Sequence, residues 1–137
     1  MPDAQAKEFA LSILTPDKCF LNKLAREVIF DTSDGRIGVM AGHMLMVAAV
    51  LEGTVEINMD GEWKTAAVSQ GFAEIKGDTV EFFVDTVEWA DEIDAVRARE
   101  ALERARIRLK TDLSRLEYLH TQAAMARALA RIKAADR

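Results

Sequence analysis

One cysteine, two prolines, two histidines and 7% aromatics in 137 residues leave little material for several kinds of protein. A single thiol, Cys19, forms no intramolecular disulfide and brings no second ligand to a metal cluster. It fits a reducing compartment and is expected to be a small packing residue. His43 and His120 stand in no His-x-x-x-His or carboxylate-rich spacing, and no serine has a nucleophile-elbow context, so neither a catalytic nor a metal site is expected. Gly35, Gly38 and Gly42 lack the strand–loop–helix frame of a phosphate cradle and read as turns and close backbone packing. The longest apolar run, Met44 to Leu51, has eight residues, whereas a membrane-spanning helix needs roughly 20, so no direct insertion into a bilayer is expected. Met1 to Glu8 mix acidic, basic and polar side chains without a signal-like apolar region, which makes secretion or organelle import unexpected and a bacterial cytoplasmic setting the default.

What is present is a 50% hydrophobic chain, enough for one packed core and an appendage. Its net charge of -5 conceals a split: residues 1–86 carry 7 basic and 14 acidic side chains, residues 96–137 carry 11 basic and 5 acidic. A positive tail on a negative body either folds back on that body or reaches for an acidic partner. Nucleic acid is the weakest candidate, because Tyr118 is the only aromatic of the tail and no zinc-ligand or Arg/Gly-rich pattern accompanies the charge.

Phe9, Leu11 and Ile13 alternate with Ala10 and Ser12, the two-residue period of a half-buried strand. Strand-like runs follow at Glu27 to Phe30, Ile37 to Met40, Met46 to Val50, Thr54 to Met59, Trp63 to Val68, Phe72 to Ile75 and Thr79 to Val84. Thr15-Pro16-Asp17, Ser33-Asp34-Gly35, Asp60-Gly61 and Lys76-Gly77-Asp78 supply reversals, so the strands should pair largely as antiparallel hairpins in a sandwich or barrel. The period changes near Thr86, giving a β-sandwich over 1–86 and a helical hairpin over 87–137. From Asp91 glycine and proline vanish, and helix formers take over. Asp91 is placed to cap the first helix with Asp94 three residues on, and Ile93, Val96, Ala101, Leu102, Ala105 and Leu109 make its apolar stripe, with Glu100 and Arg104 an ion pair on the solvated side. Ser114 and Glu117 fit a capping box for a second helix whose stripe is Leu116, Leu119, Ala123, Ala126 and Ala130. The short link at Lys110 to Leu113 makes the two helices antiparallel neighbours.

Burying an alanine methyl is worth about 0.8 kcal/mol against roughly 2 for a leucine. A stripe of alanines anchored only by Leu116 and Leu119 suits an element that detaches from its partner at modest cost; a static two-helix cap over the sheet is the plainer alternative.

Four segments then resemble one family. Ser33-Asp34-Gly35-Arg36-Ile37-Gly38-Val39-Met40-Ala41-Gly42-His43 is similar to the "DGEIGILPGH" segment of the epsilon subunit of F-type ATP synthases. Gly53-Thr54-Val55-Glu56-Ile57 resembles its "GVLRI" strand, Ser69-Gln70-Gly71-Phe72-Ala73-Glu74-Ile75 its "SGGFAEV", and Asp85-Thr86 through Ile93-Asp94 its "DTAERAEDID". The order is kept over essentially the whole chain.

The resemblance implies a ten-stranded N-terminal β-sandwich, a C-terminal two-helix hairpin and a non-catalytic place in the central rotor stalk, between the gamma subunit and the ring of c subunits. It implies a peripheral position on the cytoplasmic side of the bacterial inner membrane. It further implies a regulatory hairpin, which permits ATP hydrolysis when folded on the sandwich and blocks it when extended into the catalytic head. There Arg127, Arg131 and Lys133 would meet acids of the beta (and alpha) subunits, unless they simply form a solvated face. Two positions depart from the pattern. Arg36 replaces an acid held to face the c ring, and Ala41 replaces the proline before Gly42-His43. His43 would line the gamma-facing side or pack as a polar turn residue.

Ile93-Asp94-Ala95-Val96-Arg97-Ala98 also fits the I/L-D-x-x-R-A signature of the ATP-binding members. By that resemblance ATP is a regulatory ligand and no cofactor is required. Arg97, Arg127 and Arg131 would contact phosphates, and Glu88 and Asp94 would accept from the adenine amino group or order the arginines. The plainer reading keeps Asp94 as a helix cap and Arg97 as a surface charge. A stand-alone nucleotide-responsive module and a static adaptor are the competing functions.

Overall fold

A computed structural model describes residues 7–135. Ten strands precede two helices: β1 Phe9–Leu14, β2 Cys19–Ala25, β3 Glu27–Thr32, β4 Gly35–Met40, β5 Met46–Val50, β6 Gly53–Met59, β7 Glu62–Val68, β8 Gly71–Ile75, β9 Thr79–Val84, β10 Val87–Trp89, α1 Ala95–Leu109 and α2 Arg115–Ala135. The strands form two five-stranded sheets, β2-β1-β9-β8-β5 and β10-β7-β6-β3-β4, facing each other as the sandwich expected from the spacing of strand and turn signals. Pairing is antiparallel except between β1 and β9, which run parallel and bring the two ends of the strand region together.

Alternation decides which side chains face inward. Phe9, Leu11 and Ile13 of β1, Val28 and Phe30 of β3, Val55 and Ile57 of β6, and Val80 and Phe82 of β9 are all at most 1% exposed. Phe30 and Phe82, from opposite sheets, meet edge to face at 4.8 Å and join the layers. The β6–β7 turn takes positive φ at Asp60 (57°) and Gly61 (82°), the twist a two-residue hairpin needs. Gly71 admits no side chain, because a Cβ there would lie 2.0 Å from the Phe83 carbonyl oxygen on β9.

Strands β2 and β10 are the two that the residue pattern leaves unread, and both are sheet edges. In β2 only Leu21 and Ala25 are buried while Leu24 is 57% exposed, so alternation is too faint to see. Its first residue corrects an expectation: Cys19 is exposed, with its Sγ donating weakly to the Leu21 carbonyl at 3.4 Å, because an edge strand covers one face only. The short β10 carries the sandwich three residues past Thr86, pairing Glu88 with Ala67 of β7.

The hairpin departs from its expected stripes. Asp91 lies in a 3-10 turn over Ala90–Glu92, and Asp94 is the cap of α1, its carboxylate accepting from the Arg97 N–H at 3.2 Å. In α1 Leu102 and Ala105 are buried as expected, with Ala98 as a further buried residue, whereas Val96 is 62% exposed. Among the described residues Arg106 pairs with Glu103 at 4.0 Å on the exposed side of α1, where Glu100 with Arg104 was expected; exposed pairs are worth so little that side-chain freedom decides between them. In α2 the capping box forms in both directions: Ser114 Oγ accepts from the Glu117 N–H at 3.2 Å, and Glu117 accepts from the Ser114 N–H at 3.4 Å. The buried residues are Thr121, Ala128, Ala130 and Ala134, spread over two sides of the helix and with Ala130 as expected, while Leu116 (62%) and Leu119 (48%) point outward. The two expected anchors are therefore not anchors: only small side chains let α2 approach both α1 and the sheet closely.

Candidate functional site

α2 packs on β6 and β7, against the outer face of the second sheet. Pairing puts Thr54 opposite Ala67, Glu56 opposite Thr65 and Glu88 opposite Ala67, so these side chains share that face. Thr54 (0% exposed) and Ala67 (4%) are closed off from water there, and Glu88 at the sheet edge forms a bidentate ion pair with Arg131 of α2. Both side chains are about one-third exposed. One charged contact between β10 and α2 thus stands among small apolar neighbours.

Asp94, Arg97 and Ala98 have a local structural explanation. The carboxylate of Asp94 caps α1 through the Arg97 N–H, Ala98 donates its N–H to the Asp94 carbonyl at 3.0 Å, and the Ala98 methyl is fully buried at the helix base. Ile93 is half-buried beside them. Arg97 is exposed. Arg127, one turn before Arg131, is exposed and lies in the electrostatic field of Glu52, at the start of β6. Lys133 is exposed near the end of α2. The structure therefore joins Glu88 to Arg131 and Asp94 to Arg97, and leaves the Arg97 and Arg127 side chains on the surface.

Arg36 is held by its own sheet. Its guanidinium donates to Asp31 Oδ1 at 2.9 Å and to the Thr54 carbonyl at 3.4 Å, with Glu56 Oε1 at 3.7 Å. The charge that replaces an acid is balanced by β3 and β6 within the chain. His43 is half-buried with Nδ1 2.9 Å from the Met44 carbonyl oxygen, which can only accept, so Nδ1 carries the proton. The turn with Ala41 is closed by the Gly42 N–H to the Gly77 carbonyl at 2.6 Å and by the His43 N–H to the Met40 carbonyl at 3.3 Å.

A second surface escaped the residue pattern. Met44, Leu45 and Val47 are 69–76% exposed at the edge of the first sheet. Near them Phe72 and Phe83 stack at 4.9 Å on its outer face, and an open cleft of about 700 Å³ runs along Leu51, Leu14 and these rings. The signal was available in the eight-residue apolar run, because an edge strand buries alternate side chains and the surplus must face outward.

Among the described residues no group of histidine, cysteine or acidic side chains is arranged to hold a metal ion, and no helix is long and apolar enough to cross a membrane.

Comparison with known proteins covers both parts of the chain. The family model for the ATP synthase delta/epsilon chain β-sandwich domain matches residues 8–90, and that for its long α-helix domain matches residues 91–136. The ATP synthase epsilon chain of Ruminiclostridium cellulolyticum is 46% identical over 129 residues, spanning 94% of this chain and 96% of that one. The epsilon chain of Caldanaerobacter subterraneus is 39% identical over 132 residues, 96% of each. Among solved structures, a chain of the Euglena gracilis mitochondrial ATP synthase (OSCP/F1/c-ring, rotational state 1) superposes with a TM-score of 0.82 at 22% identity, over 95% of this chain and 82% of that one. A chain of the Tetrahymena thermophila mitochondrial ATP synthase central stalk and c-ring gives 0.67 at 17% identity, over 94% of this chain and 97% of that one. These two show the fold.

Proposed function

The chain belongs to the delta/epsilon family of ATP synthase chains, as an epsilon chain and so a non-catalytic subunit, and from that membership we propose how its two parts work. The sandwich sits in the central stalk between gamma and the c ring, on the cytoplasmic side of the bacterial inner membrane, and passes ion-driven rotation to ATP synthesis. The open apolar cleft at Phe72 and Phe83 with the exposed Met44–Val47 segment is the surface that suits a protein partner. The hairpin restrains ATP hydrolysis by leaving the sandwich.

The observation that carries the second half is the make-up of the dock. α2 rests on the sheet through Ala134, beside Thr65 and Trp89, and the Glu88–Arg131 pair, while Leu116, Tyr118, Leu119 and Leu129 (44–62% exposed) face away. A helix that buries its small residues and displays its large ones has a weak hold on its own sandwich and a ready surface for another protein.

Co-purification tests the stalk assignment: the chain is expected to be recovered with gamma and with membrane-bound ATPase activity, and absence from that complex would remove it. Deleting residues from 91 onward is expected to raise ATP hydrolysis by the assembled enzyme without detaching the sandwich.

The donor set also suits ATP as a regulatory ligand. Arg97, Arg127 and Arg131 supply guanidinium groups for phosphates, and Glu88 already orders one of them. When bound, the nucleotide would supply anionic charge that holds α2 against the sandwich. Calorimetric titration of the full chain should show saturable binding that prefers ATP to ADP, lost in Arg97→Ala and in Arg131→Ala; unchanged affinity in both would remove the nucleotide from the reading.

A further inference from the structure

One charged group in the dock has no role in the contacts described so far. Glu52 precedes β6, and the two-residue period sets it on the side of Thr54 and Glu56, the face α2 covers. Its Oε2 is shut off from water without a hydrogen-bond partner, although the residue as a whole is half-buried. A carboxylate oxygen in that position is costly to keep charged. The charged groups that act on it are Arg127 from α2 and Asp85 from the β9–β10 link, and the same sheet carries Asp31, Arg36 and Glu56. Asp31 and Glu56 are already engaged by Arg36, which leaves Arg127 and Asp85 as the opposing influences on Glu52.

We propose that Glu52 is a proton-sensitive contact of the dock, sealing beneath α2 when protonated and favouring release of the hairpin when ionised. The proposal rests on the reading that the hairpin leaves the sandwich, and it names one group that biases the step.

The sign follows from the competing influences. Burial pushes the Glu52 carboxyl above its ordinary value, Arg127 pulls it down by less, and Asp85 adds to the upward push. On this proposal α2 supplies the burial of Oε2, so that lifting it away rehydrates the carboxylate and the burial lost outweighs the loss of Arg127; the released state then holds its proton less tightly. Docking therefore takes up a proton. The contribution of Glu52 to docking is complete at acid pH and is lost as pH rises through the value of the docked state. Glu88 and Arg131 form a separate contact of the dock, so Glu52 acts as a bias and not as an all-or-none switch.

Amide exchange along α2 in the full chain, corrected for the intrinsic effect of pH on exchange, tests this at about pH 5 and about pH 8. The opening equilibrium of α2 should grow with pH by up to about tenfold for each unit separating docked and released values. In Glu52→Gln it should be flat, and at the higher pH α2 should be better protected than in the unaltered chain. Unchanged protection of β1, β3 and β9 in the variant shows that the sandwich is intact. Measurable opening that does not vary with pH, or a pH dependence that survives in Glu52→Gln, overturns the role of Glu52 and leaves the mobile hairpin standing. Protection of α2 equal to that of the β core at both pH values overturns both readings.

Discussion

The sandwich and the hairpin bury different kinds of side chain. Between the sheets lie Phe9, Phe30, Phe82, Leu11, Ile13 and Ile57. Between the hairpin and its neighbours lie Ala98, Ala105, Ala128, Ala130 and Ala134, with Leu102 as the large exception. A buried leucine or phenylalanine is worth on the order of 2 kcal/mol and an alanine methyl less than half of that, so two regions of one chain are held with unequal strength. The difference separates persistence from movement: a subunit that must stay in place while one part moves needs a strong core in the first part and a shallow one in the second.

The largest effect should come from the sandwich. Phe82→Ala removes a ring that joins the two sheets, and about 3–5 kcal/mol of global stability should be lost in denaturant unfolding. Enlarging the hairpin's inward face should act locally instead. Ala128→Leu overpacks a site that is 3% exposed, at a cost of roughly 1–3 kcal/mol. That cost should appear as faster amide exchange in α2 while the melting of the sandwich is unchanged; a matching fall in sandwich stability would mean that the two regions form one cooperative unit. Arg131→Ala removes the single ion pair between β10 and α2, and since both partners are one-third exposed, docking should weaken by only about 0.5–1 kcal/mol. Leu116→Ala and Leu119→Ala should leave the stability of the isolated chain within about 0.5 kcal/mol, because both point outward, yet they should weaken any complex that the extended hairpin makes.

The smallest effect concerns the start of α2. Hydrogen bonds from the Ser114 cap, and to a lesser degree Arg108 at 3.3 Å, hold the Glu117 carboxyl below its ordinary value. A lowered carboxyl value gives support that is present above the unfolded value and lost as pH falls through the folded one. The first turn of α2 should fray on the acid side, and Glu117→Gln should remove that dependence in amide exchange. Glu52 has the opposite sign, so the two ends of the pH range separate the cap from the dock.

Much of the architecture was legible in the residue order because it depends on local periodicity. Eight strands announced themselves through alternation and through turns such as Asp60-Gly61, whose positive φ values no β-branched residue would accept. The capping box at Ser114 and Glu117 was legible because it needs only four consecutive residues. Edge strands β2 and β10 were not, since each has one partner and a pattern that neither alternation nor composition marks. The helix faces were misjudged for a related reason. In an alanine-rich helix several stripes are nearly equally apolar, and the placement of Leu116 and Leu119 outward follows from how closely α2 must approach α1 and the sheet.

The candidate site divides in the same way. The roles of Asp94, Arg97 and Ala98 in starting α1 belong to a six-residue segment and could be read there as a cap. Glu88 and Arg131 lie 43 positions apart, and only the docking of α2 beside β10 makes them partners. Glu52 carried no sequence signal at all, because a glutamate next to glycine in a turn looks like any surface acid until a helix is laid over it.

By itself, the order of residues determined the family, the change from sandwich to hairpin, eight of the strands, the start of the second helix, and the uneven charge of body and tail, all properties set by neighbours a few positions away. Tertiary structure alone decided which helix face is covered, which arginine is paired and which carboxylate loses its water. Those depend on distances between elements far apart in the chain, and in a helix built of alanines only close packing distinguishes one face from another.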